Sequence, residues 1–102
     1  MPRQHDRTSI LLEIILEFSS GRRGARISDL SMGGCFVDTI ATVNVGEMIR
    51  FRLRIDEDEW EDMHGEIAYM LPGFGFGLQF KDLSDEQKQG IASLILANGG
   101  TV

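Results

Sequence analysis

Between Met48 and Ile55 the chain alternates without a break. Ile49, Phe51, Leu53 and Ile55 fall on one side at period two, and Met48, Arg50, Arg52 and Arg54 on the other. Successive side chains of a strand point to opposite faces, so this pattern describes a strand with one face in a core and one in water. Such half-buried strands belong to antiparallel sheets, because parallel sheets are covered on both faces. The run at 9–18 (SILLEIILEF) repeats the pattern, with Ile10, Leu12, Ile14, Leu16 and Phe18 on one face and Glu13 and Glu17 on the other. Its β-branched residues and the SSGRRG turn after it favour strand over helix.

Shorter strands are expected at 24–30 and 34–39, divided by the Gly33-Gly34 pair, and at 63–70 and 76–80. Residues 56–62 read as an acidic hairpin tip and 71–75 as a loop, with a further turn at Val45-Gly46. Twelve glycines, mostly between apolar runs, fit many short strands joined by tight turns. The segment 84–97 is the one good helix. Ser84 and Gln87 form a capping-box pair, Asp85 and Glu86 suit the positive end of the helix dipole, and Asn98-Gly99 is a stop signal. Ile91, Leu94 and Ile95 give it an apolar stripe. The expected architecture is one all-β domain, a small antiparallel barrel over 9–80, with an extended arm at 1–8 before it and the helix after it.

Charge narrows the function. The formal net charge is −6. Five arginines against three acids make residues 1–26 basic, while five basic residues against thirteen acids make residues 27–102 strongly acidic. An acidic body repels the backbone of a long nucleic acid, whose binding rests on Lys and Arg neutralising phosphates. A local arginine cluster on such a body suits a small anionic ligand. The single cysteine, Cys35, allows no internal disulfide and points to a reducing compartment. No apolar run is long enough to span a membrane, and the polar first eight residues do not read as a secretory signal. The expectation is a cytoplasmic protein with no membrane insertion.

Two short motifs carry the chemistry. Arg3-Gln4-His5-Asp6-Arg7 is an RxxxR on the arm, and Asp29-Leu30-Ser31-Met32-Gly33-Gly34 is a DxSxxG at a strand end. Taken singly, the first is common in polar arms, and the second reads as a turn in which Asp and Ser bond the local backbone. In this order, and on these two elements, they resemble the PilZ domain family. The resemblance extends over nearly the whole chain, through the Gly46 turn, the GEIAYM and GLQF strands and the closing helix. It implies a six-stranded barrel with a terminal helix, acting as a receptor for the bacterial second messenger cyclic di-GMP, with no catalysis and no cofactor.

The resemblance assigns a clamp to Arg3 and Arg7, whose guanidinium forks match phosphate oxygens and the O6/N7 edge of guanine and can stack on a base. On the same reading Asp29 accepts from guanine N1–H and N2–H, Ser31 bonds phosphate or base, and Gly33 and Gly34 let the backbone approach the ligand. Arg26 is an auxiliary contact, and Arg22 and Arg23 are solvated turn residues. A conformational change on binding would then signal to a protein partner in motility, biofilm or exopolysaccharide control. The oligomeric state stays open.

Other clusters read blandly. His5 and His64 lack partners at metal-ligand spacing, Cys35 and Ser31 lack a general base, and the GFGFG stretch at 73–77 has no Lys-Ser/Thr helix after it. The Arg50, Arg52, Arg54 row is expected to be a solvent face paired with Glu66 or the 56–62 acids. Trp60 among those acids supports the alternative reading, a PilZ-like protein–protein adaptor that binds no nucleotide. An OB-like nucleic-acid binder is disfavoured by the net charge and the single tyrosine.

Overall fold

The computed structural model describes residues 8–101. Six antiparallel strands, β1 (Thr8–Phe18), β2 (Gly21–Leu30), β3 (Gly34–Asp38), β4 (Met48–Asp56), β5 (Glu59–Leu71) and β6 (Gly75–Lys81), precede one helix, α1 (Asp85–Ala97). They close into a barrel in the order β1-β2-β3-β6-β5-β4. The all-β barrel with a C-terminal helix is therefore the fold the sequence led to expect. Among the described residues closure leaves no open sheet edge, which a short, strand-rich chain would otherwise have to protect.

The alternation of the sequence is the inside and outside of the barrel. Ile10, Ile14, Leu16, Ile27, Val37, Ile49, Phe51, Leu53, Met63, Ile67, Phe76 and Leu78 are buried in one core. Cys35 lies among them at 2% exposure, as a small core residue. The outward face carries the charges, with Arg52 bonded to Asp62 at 2.8 Å, Arg54 to Glu13 at 3.3 Å and Arg22 to Glu17 at 3.3 Å. The arginine row thus faces outward, but only Arg52 finds an expected carboxylate partner: Arg54 turns to Glu13 on β1, Arg50 makes no ion pair among the described residues, and Glu66 bonds Lys81 at 3.8 Å.

Several boundaries differ from expectation, each for a local reason. Thr8 is already in β1, paired with Leu30, not in the arm. Arg22 and Arg23 lie in β2 opposite Glu17 and Leu16, so the turn is confined to Ser19 and Ser20. The acidic tip is short as well, since β5 begins at Glu59 and Trp60 is a strand residue opposite Arg54. A register shift between Arg54 and Asp56 leaves Ile55 only half-buried, out of the alternation that includes it in sequence.

Helix α1 starts at the Ser84 N-cap, with both capping-box hydrogen bonds made: Gln87 N to Ser84 Oγ at 3.1 Å and Ser84 N to Gln87 Oε1 at 3.0 Å. Gln87 Nε2 also donates to the Asp62 carbonyl at 2.7 Å, tying the first turn to β5. Ile91 and Ile95 then enter the barrel core. Ser84→Ala removes one reciprocal cap and is expected to lower stability by about 1 kcal/mol. Urea unfolding checks this, and an unchanged midpoint would show that Gln87 holds the helix start unaided.

Candidate functional site

The DxSxxG motif occupies the corner where β2 turns into β3. A register shift between Ile27 and Asp29 breaks the β2–β3 ladder here, and Asp29 falls opposite Phe36. Its Oδ1 accepts from Phe36 N at 3.0 Å, so the carboxylate replaces a ladder partner that the bulge takes away. Ser31 is 5% exposed, the one buried polar side chain among the described residues. Its hydroxyl donates to the Gly34 carbonyl at 3.2 Å and accepts from Gly33 N at 3.3 Å, while its own N–H donates to the same carbonyl at 2.8 Å. Gly33 in turn accepts from Phe80 N at 2.9 Å, which fastens the corner to β6.

Gly34 sits under the backbone of β6. A Cβ there would collide with the Leu78 carbonyl oxygen and lie 3.3 Å from Gln79 Cα. Its φ is not left-handed, so the close approach alone calls for glycine. In this structure the approaching backbone is the protein's own.

Arg26 lies one side-chain repeat along β2, exposed, opposite Asp38 on β3 and Glu13 on β1. It makes no ion pair among the described residues; Asp38 instead accepts from Ser28 Oγ at 3.1 Å. Asp29, Ser31, Gly33, Gly34 and Arg26 are therefore gathered on one hairpin. Arg3 and Arg7 lie outside the described residues. Strand β1 begins at Thr8, opposite Leu30, between Asp29 and Ser31 in sequence.

Two residues of this corner went unread in the sequence, Phe36 and Tyr69. Their ring centroids are 6.2 Å apart at an interplanar angle of 31°. Each ring lies over a glycine of β6: a Cβ on Gly75 would meet the Phe36 ring at 2.9 Å, and one on Gly77 would strike the Tyr69 ring. Tyr69 is 41% exposed because a register shift between Ile67 and Tyr69 turns it outward. The GFGFG stretch supplies the flat floor for both rings, and that is the signal a sequence reading could have used. Beside a carboxylate, an exposed aromatic face can take a planar base.

Among the described residues no group of three or more His, Cys, Asp or Glu side chains is arranged to hold a metal ion. None of the described helices is long and apolar enough to cross a membrane.

The PilZ domain family model matches residues 2–97, and the chain belongs to that family. Its barrel is similar to the PilZ domain of YcgR from Escherichia coli with c-di-GMP, at a TM-score of 0.79 and 12% identity over 96% of this chain and 92% of that one. It is similar also to the K. pneumonia MrkH–c-di-GMP complex (TM-score 0.80, 15% identity, 94% of this chain and 52% of that one). The Bacillus subtilis inhibitor of motility MotI/DgrA shares the fold at a TM-score of 0.74 and 17% identity over 89% of this chain. The chain spans about half the length of MotI/DgrA and MrkH, at 47% and 52%. Among curated proteins no sequence matches it.

Proposed function

We propose that this chain is a cytoplasmic receptor for cyclic di-GMP that signals to a protein partner and catalyses nothing. The observation that carries the reading is the Asp29 corner: a carboxylate fixed by Phe36 N, beside an outward aromatic pair, at the point where β1 enters the barrel. In this reading Asp29 accepts from a guanine edge, Tyr69 or Phe36 offers a stacking face, and Arg3 and Arg7 clamp phosphate and base from the segment ahead of Thr8. Arg26, with no ion pair among the described residues, is an auxiliary phosphate contact. Ser31, Gly33 and Gly34 shape the turn and present its backbone to the ligand. Family membership and relatives named for their c-di-GMP complexes support the choice of ligand. Motility, biofilm and exopolysaccharide control are the processes proposed for its output.

Isothermal titration with cyclic di-GMP tests the reading. Saturable binding is expected, weakened roughly 10- to 100-fold in Arg7→Ala, the loss of one or two charge-assisted hydrogen bonds. Absence of heat with the folded wild-type chain would defeat it, and undiminished binding in Arg7→Ala would defeat the clamp.

A further inference from the structure

We infer that the outer face of β1, between β2 and β4 and bordered by the start of β5, is a docking groove for a basic, amphipathic segment of a protein partner. The inference deepens the receptor reading, and rests on it, by naming the surface through which that receptor acts. Strand register lays one row of side chains across five strands: Trp60, Arg54, Glu13, Arg26 and Asp38. The Arg54 guanidinium stands 5.7 Å from the Trp60 ring centroid, and its Nη1 is 3.3 Å from Glu13. At the other end Asp38 accepts from Ser28, the neighbour of Asp29. The row therefore begins at the candidate nucleotide corner and ends at the acidic hairpin.

A groove of about 610 Å³ follows this row, walled by Leu11, Glu13, Ile15, Arg26, Asp38 and Trp60. Leu11 is 75% exposed and Trp60 36%, on a sheet face otherwise given to charges. Within the row Arg54 and Arg26 offset Glu13 and Asp38, so the row is close to neutral, while Leu11, Ile14, Ile15 and Ala25 make the groove's wall largely apolar. Its rim is acidic: residues 56–62 hold six acids, of which Asp62 is answered by Arg52. Asp58 and Glu59 make no ion pair among the described residues. Apolar side chains at helical spacing would fill the groove while lysines or arginines beside them meet the rim. An anionic membrane or a nucleic acid would be repelled by that rim, and a second copy would bring its own acidic hairpin against it.

Trp60 is the only tryptophan, so its emission reports this groove directly in the intact chain. The probe is a synthetic peptide of about 15 residues with leucines on one helical face and lysines on the other. Its counterpart replaces every lysine by glutamate. A saturable blue shift with the lysine peptide alone is expected, weakened about tenfold or more by Leu11→Glu and by the pair Asp58→Lys and Glu59→Lys. No shift, an equal shift with both peptides, or indifference to Leu11→Glu would overturn the proposal. So would a larger shift on anionic vesicles, or a concentration-dependent dimer in sedimentation that shifts the emission without peptide. The titration is repeated with saturating cyclic di-GMP. Peptide binding without nucleotide heat would count against the receptor reading alone, and nucleotide heat without peptide binding against the groove alone.

Discussion

Asp29→Ala and Asp29→Asn are each expected to weaken cyclic di-GMP binding by about 100-fold or more, but only alanine should cost stability. A carboxylate accepting two hydrogen bonds from a guanine edge is worth roughly 1.5–3 kcal/mol per bond, which sets the scale of the alanine loss. The same residue also holds Phe36 N at 3.0 Å across the β2–β3 bulge. Alanine leaves that N–H without its partner, at about 1–3 kcal/mol of stability. Asparagine keeps its one oxygen for Phe36 N but sets an NH2 donor against the guanine N1–H and N2–H donors, so its fold should match wild type while its binding falls as alanine's does. Calorimetric titration beside urea unfolding separates the two roles. If alanine lowers stability yet binds as tightly as wild type once folded, Asp29 is only a brace for the hairpin, and the ligand is read elsewhere.

How far the sequence reaches depends on the range of the contact concerned. Alternation at 9–18 and 48–55 is a property of one strand at a time, and it placed Ile14, Leu16, Phe51 and Leu53 in the core correctly. The cap of α1 is equally local, and Ser84 and Gln87 read as they fold. Bulges are pair properties. Nothing within 48–55 announces that the ladder shifts at Arg54, so the alternation alone puts Ile55 with the core and Trp60 in a tip. Low strand propensity made 59–62 look like a turn, whereas the Arg52–Asp62 and Arg54–Trp60 contacts with β4 hold it in the sheet.

The candidate site divides the same way. The DxSxxG spacing was visible, as was a turn in which Asp29 and Ser31 bond nearby backbone. The aromatic pair was not, because Phe36 and Tyr69 meet only through the register of β3, β6 and β5. Ligand contacts by Arg3, Arg7, Arg26, Ser31 and the two glycines remain proposals that the binding measurements decide.

Gly34→Ala should be a severely damaging single methyl, lowering stability by about 3 kcal/mol or more, with the melting temperature down by roughly 15 °C. The added Cβ would meet the Leu78 carbonyl oxygen, with Leu78 C at 3.2 Å and Gln79 Cα at 3.3 Å behind it. All three are backbone atoms. Relief requires β3 to move away from β6, and Gly34 opens the β3–β6 register, paired with Gln79. Ser31 feels the same displacement, since its hydroxyl and its N–H both bond the Gly34 carbonyl. The control is Gly90→Ala, which meets nothing within 4 Å inside α1 and should stabilise by about 0.5–1 kcal/mol through helix propensity. One methyl group thus acts with opposite sign at two glycines, and urea unfolding of both variants reads the difference. Loss of nucleotide binding in Gly34→Ala would follow from the displaced hairpin alone, so it is no evidence of a ligand contact. Wild-type stability in that variant would mean that β6 gives way easily, and the need for glycine would then pass from the neighbouring strand to the ligand.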